Sequence, residues 1–147
     1  MLRRTLPLAL VLLALAGCTR EETGLPAACT DGEDAVRAAL NSAPGQVRMG
    51  DAALSSCLNE EADGDQLQVV GIAFVEAASG LAREARRRPE SRSALELGYL
   101  VAAAHRGGDS TQGVHSELLR RLDQEVAAVN TRSRAYRRGR QAGRAAG

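Results

Sequence analysis

Between Gly64 and Arg88 the apolar residues Leu67, Val70, Phe74, Ala77, Leu81 and Ala85 fall at intervals of 3, 4, 3, 4 and 4. A helix of 3.6 residues per turn places such a series on one side, so the spacing predicts a long amphipathic helix and commits the chain to a helical architecture. Val69, Ile72 and Val75 widen the apolar surface of its first half, which implies neighbours on several sides there. Pro89 lacks an amide donor and restricts Arg88, so the helix must end before it.

The flanking segments keep the same period. Ser93-Ala94-Leu95-Glu96 has the form of a capping box for the next helix, with Ala94, Leu97, Val101 and Ala104 on one stripe and Gly107-Gly108 as its stop. Asp109, Ser110 or Thr111 is placed to cap a further helix that carries Val114, Leu118, Leu122, Val126 and Val129. Upstream, Thr30-Asp31-Gly32-Glu33 reads as a capping box for a short helix that runs to about Ser42, with Val36, Ala39 and Leu40 inward and Pro44-Gly45 as its end. Gln46 to Met49 reads as briefly extended, and Asp51 is placed to cap a second short helix with Leu54 and Leu58 inward. Long helices joined by short turns lie antiparallel. The expected fold is therefore all-α: a small antiparallel helical bundle of three longer helices, with two short N-terminal helices attached. Its core should contain Leu67, Val70, Phe74, Leu81, Leu97, Val101, Leu118, Leu122 and Val126.

The N-terminal segment is of another kind. Arg3 and Arg4 precede an apolar run from Leu6 to Ala16, and the run closes on Leu15-Ala16-Gly17-Cys18. Eleven helical residues span about 16 Å, roughly half a hydrocarbon core, so this is no transmembrane helix. The segment resembles a bacterial lipoprotein signal peptide with its lipobox, over about the first 20 residues. The resemblance implies cleavage between Gly17 and Cys18, a diacylglycerol thioether on Cys18, and a new amino terminus open to acylation. Two or three chains hold a protein firmly where one holds it marginally. The implied location is a bacterial membrane face outside the cytoplasm.

Given that export, cysteine arithmetic follows. Of three cysteines Cys18 carries lipid, and Cys29 and Cys57 remain as a pair in an oxidising compartment, where a disulfide is the default. Closing that loop stabilises the fold by roughly 3 to 4 kcal/mol in the chain-entropy model. The chain then divides into residues 1–17 as signal peptide, 18–28 as membrane-proximal linker, 29–130 as helical domain and 131–147 as a basic tail. The stretch from Thr19 to Ala28 reaches at most about 35 Å.

All 19 basic residues are arginine. Six of them, Arg132, Arg134, Arg137, Arg138, Arg140 and Arg144, fall beyond Thr131 with no acid among them. Residues 18–130 hold eleven arginines against all eighteen acids, a net of −7. With no apolar stripe, the tail reads as disordered. For an exported chain its natural contacts are anionic lipid headgroups or wall polymers rather than nucleic acid.

Catalytic chemistry is sparse. His105 and His115 are the only histidines, and Asp109 between them makes the one acid–base or metal arrangement in view. Helical metal sites favour His at i and i+4, a spacing absent here. A zinc set of Cys29, Cys57, His105 and His115 would compete with the disulfide for the same sulfurs. There is no G-x-S-x-G, and S-x-x-K is impossible without lysine. Glu60-Glu61 and Asp63-Asp65 flank a helix start, where acids favour the dipole. Glu84 can pair with Arg88 one turn on, and Arg86-Arg87-Arg88 suits a helix C-terminus. The aromatics are Phe74, Tyr99 and Tyr136. Phe74 reads as core, and Tyr99, beside Gly98 in a helix able to pack closely there, is the one candidate to line a groove. The functional expectation is a lipid-anchored, non-enzymatic binding or interaction module with a protein or small-molecule partner and no cofactor. The alternative is a small extracytoplasmic enzyme with its site near His105, Asp109 and His115.

Overall fold

A computed structural model describes residues 24–58, 64–108 and 113–147. The chain is mostly helical: α1 (Glu33–Leu40), α2 (Gly64–Arg87), α3 (Arg92–Gly108), α4 (Val114–Val126) and α5 (Arg134–Ala146), with two-residue strands β1 (Arg48–Met49) and β2 (Ala52–Ala53). Single 3₁₀ turns cover Ala27–Thr30 and Leu54–Leu58. No helix among the described residues is long and apolar enough to cross a membrane.

α3 is the centre of the molecule. Leu97, Tyr99, Leu100, Val101, Ala103 and Ala104 are buried around its whole circumference, because α2, α4, α5 and the Leu54–Leu58 turn all pack on it. α2 contributes Val70, Phe74, Ala77, Leu81 and Ala85, the residues its periodicity assigns, and α4 contributes Leu118 and Leu122. All nine core residues expected from the sequence are buried. The widened face of α2 behaves differently. Val69 and Ile72 are 45% and 51% exposed, so no neighbour among the described residues encloses that side.

The N-terminal segment is clamped onto this frame. Cys29 and Cys57 form a disulfide with Cα atoms 5.4 Å apart, joining the two 3₁₀ turns. The second short helix expected from the sequence is thus a 3₁₀ turn, and it follows β2 rather than an Asp51 cap. β1 and β2 pair antiparallel, Arg48 opposite Ala53 and Met49 opposite Ala52, across a turn in which Gly50 takes φ +60°. Tyr99 lines no groove: its ring is fully buried, and its hydroxyl accepts the Val47 amide at 3.1 Å. Arg92 donates to the Asn41 and Ala43 carbonyls beyond the end of α1 and pairs with the buried Glu96 at 2.8 Å.

Two expected caps give way to others. α1 starts behind Gly32 at φ +88°, with no side-chain cap, while the Thr30 hydroxyl turns back to the Ala27 carbonyl. α3 starts one residue before Ser93, and Ser91 Oγ accepts the Ala94 amide at 3.3 Å. Asp109, Ser110 and Thr111 lie outside the described residues, and α4 opens behind Gly113.

The largest departure is at residues 131–147, expected as a disordered tail. They form α5, and the α3–α5 pair makes the most extensive helix contact in the fold. Its inward face is Tyr136, Gly139, Gly143 and Gly147, spaced 3, 4 and 4, with Ala135 and Ala142 beside it. A methyl group at Gly139 would run into the Leu95 carbonyl, one at Gly143 into the Tyr99 carbonyl, and one at Gly147 into Ala103. From the α3 side, a methyl group at Gly98 would meet the Tyr136 carbonyl. Backbone lies on backbone, so dispersion contact replaces the large apolar side chains the segment lacks. The folded body also begins earlier than expected, since Leu25 is packed into the core.

Candidate functional site

Leu95 meets Gly139, Tyr99 meets Gly143 and Ala103 meets Gly147, so α5 runs in the same direction as α3. Parallel helix dipoles repel, and both ends of α5 are compensated. At its N-terminus Ser133 Oγ accepts the Tyr136 amide at 3.2 Å, and the Glu90 carboxylate accepts the Arg134 and Ala135 amides at 3.0 and 3.1 Å. Those amide bonds hold the Glu90 carboxyl below its ordinary range. At the other end Arg106 donates to the Arg144 and Ala145 carbonyls at 3.3 and 3.0 Å. Ser55 Oγ adds a bond to the Gly147 carbonyl at 2.6 Å. The helix is fixed at both termini and along its inner face.

Its outer face is basic. Arg134, Arg137, Arg138, Arg140 and Arg144 are all exposed, as is Arg132 just before the helix. None of the six forms an ion pair with a described residue. Elsewhere several arginines are paired: Arg88 with Glu84 at 2.7 Å, Arg92 with Glu96, and Arg120 and Arg121 together on Glu117 at 2.7 and 2.9 Å, whereas Arg86 and Arg87 at the end of α2 are exposed without an ion pair among the described residues. That double pairing pulls the Glu117 carboxyl down to about 2. Successive helical residues advance by about 100°. Arg137, Arg140 and Arg144 therefore share one flank of α5, where with Gln141 and Ala145 they line a shallow depression of about 410 Å³. Arg134 and Arg138 turn toward the other flank.

The two histidines have different surroundings. His105 Nε2 lies 3.0 Å from Asp123 Oδ1 on α4, two turns beyond His115. His115 is buried in the first turn of α4, and its Nε2 has no hydrogen-bond partner among the described residues. Asp109 lies outside the described residues, as do Glu60, Glu61 and Asp63. The sulfurs of the considered zinc set are bonded to each other. Among the described residues no three His, Cys, Asp or Glu side chains gather as a metal would require. Cys18 also lies outside the described residues.

One other concavity is notable. Leu67, Gly71, Ile72, Val75 and Leu118 line a groove of about 550 Å³ between α2 and α4, rimmed by Gln68, Glu76, Glu117 and Arg121. It opens on the side of α4 away from Asp123.

Sequence reasoning missed the two residues that fix α5, Glu90 and Arg106. Neither belongs to a motif, because each acts across more than 35 residues of chain. A signal for the docking itself was present in the glycines at 139, 143 and 147 and their counterpart Gly98. No family model matches the chain, and no curated protein or solved structure matches it either.

Proposed function

We propose that this protein is a lipid-anchored, non-enzymatic module of the cell envelope, a small helical bundle that lies on an anionic surface through the outer face of α5. The observation that carries this reading is the set of six exposed arginines that form no ion pair among the described residues, five of them on a helix locked into the fold. A fixed helix presents its charges without the ordering entropy that a flexible tail would lose on contact. The lipobox resemblance supplies the surface. Six residues lie between Cys18 and the packed Leu25, so lipid on that sulfur would keep the body within about 25 Å of the bilayer. Each arginine near an anionic leaflet contributes about 1 kcal/mol, so a handful is enough to orient a protein already tethered.

The test is vesicle binding by residues 19–147, which carry no lipid. Association with phosphatidylglycerol vesicles should be tight at low salt and fall steeply toward physiological ionic strength, where the screening length shortens to about 8 Å. Neutralising the α5 arginines to Gln should abolish it while the circular dichroism stays that of the wild type. Deleting residues 131–147 is not an informative variant, because it removes a wall of the core. Equal binding by wild type and neutralised protein would overturn the proposal.

A further inference from the structure

We propose that Arg137, Arg140 and Arg144 form a clasp for the phosphate group of a lipid headgroup, so that α5 grips one phosphate rather than only resting in a diffuse field. This rests on the surface-binding reading above and assigns the ligand within it.

The placement argues for a clasp. At i, i+3 and i+7 the three side chains leave α5 within about 60° of arc and about 10 Å of axial length. They surround one depression, whose remaining walls are the Gln141 amide and the small Ala145. Arg132, Arg134 and Arg138 carry the same charge but do not line this depression. Among the described residues no carboxylate pairs with these three arginines. The arginine type is uninformative here, because the whole chain lacks lysine. What matters is that three planar donors converge. A carboxylate offers two acceptor oxygens in a plane, whereas a phosphate offers its oxygens in a tetrahedron that several guanidiniums can share in bidentate fashion. The rigidity of α5 fixes the spacing of the three stems, and the side chains close the remaining distance. The lipid is favoured over a soluble phosphate ester because the anchor confines this face to the bilayer, where headgroup phosphate is concentrated.

Two triple variants with equal charge loss separate grip from field. R137Q/R140Q/R144Q should weaken binding of residues 19–147 to phosphatidylglycerol vesicles about a hundredfold, and R132Q/R134Q/R138Q less than about tenfold. R137K/R140K/R144K keeps the charge and should still lose at least about tenfold, since an ammonium is a compact point charge without the planar fork that holds two oxygens side by side. All side chains exchanged are exposed, and unchanged thermal unfolding confirms that each variant is folded. Equal losses in the two Gln triples, or full binding by the Lys triple, would overturn the clasp and leave the surface reading standing. No vesicle binding by the wild type at low salt would overturn both. Glycerol 3-phosphate distinguishes the source of the phosphate. Millimolar concentrations should shift the Nε resonances of the three arginines only weakly; saturation at micromolar concentration would make a soluble ester the ligand and overturn the lipid assignment.

Discussion

Replacing Gly139 by Ala adds one methyl group to the inner face of α5, and its consequence follows from what that methyl would meet. A Cβ at this position would overlap the Leu95 carbonyl oxygen and sit 3.0 Å from the Tyr99 amide nitrogen. Both atoms belong to the backbone of the buried central helix, so neither can rotate aside, and α5 itself must retreat. Overpacking of this kind destabilises by about 1 to 3 kcal/mol, toward the upper end when the obstacle is rigid. Against it stands the helix preference for Ala over Gly, about 1 kcal/mol. The expected net loss is about 1 to 2 kcal/mol, a sizeable part of the stability of a domain this size. Gly71→Ala is the matched control. Its methyl would rest at 3.5 Å from Leu118 Cδ1, an ordinary contact, so the same chemical change there should stabilise by about 0.5 to 1 kcal/mol. Urea unfolding followed by circular dichroism, with the disulfide oxidised, reads the difference as a shift in midpoint at constant slope. A Gly139→Ala protein as stable as the wild type, or shifted in the same direction as Gly71→Ala, would refute a backbone-on-backbone seat for α5.

Four further outcomes are expected. Phe74→Ala removes a fully buried ring and should destabilise by about 3 to 5 kcal/mol in the same assay; a loss below about 1 kcal/mol would contradict its place in the core. Reducing Cys29–Cys57, which closes a separation of 28 residues, should lower stability by about 3 to 4 kcal/mol, measured as the difference between urea curves with and without reductant. The Glu117 carboxyl is held at about 2 by hydrogen bonds from Arg120 and Arg121. Its folded value lies below the ordinary 4.5, so its contribution is complete above that pH and is lost as pH falls toward about 2. The stability gap between wild type and Glu117→Gln should therefore close over this window, and a gap that widens on acidification would contradict the pairing. Cys18→Ala should abolish fatty-acid labelling in a bacterial host and block cleavage after Gly17; unchanged labelling would dismiss the lipobox.

The parts of the fold that were legible in the sequence are those held by large apolar side chains. Leu67 to Ala85 in α2 and Leu118 to Val126 in α4 announce their buried faces through spacing alone, and the cysteine pair announces its bond once export is supposed. α5 was illegible for a physical reason. Its buried face is three glycines and a tyrosine, and a hydropathy pattern weighs glycine as nothing, although glycine is what admits the carbonyls of α3. The arginines reinforced the error, since a run of cations without apolar partners has the composition of a solvated tail. The open flank of α2 was misread in the opposite sense. Val69 and Ile72 imply enclosure by composition, but the described neighbours of α2 leave both about half exposed. For the candidate site, the arginines themselves were identified from the sequence, whereas their fixed arrangement depends on Glu90 and Arg106. Those contacts arise only when chain segments distant in sequence are brought together.

The orientation of the protein on a membrane tests the account most directly. A nitroxide placed at Ala145→Cys on α5 and another at Gln68→Cys beside the α2–α4 groove occupy exposed positions on two helices that each pack against α3. With the lipidated protein on phosphatidylglycerol vesicles, relaxation by a headgroup-bound paramagnetic reagent should be strong for the label at 145 and weak for the label at 68. Adding salt should reduce the contrast as the arginine contact is screened. Equal relaxation at the two positions at low salt, or a stronger effect at 68, would contradict an α5 face held against the membrane.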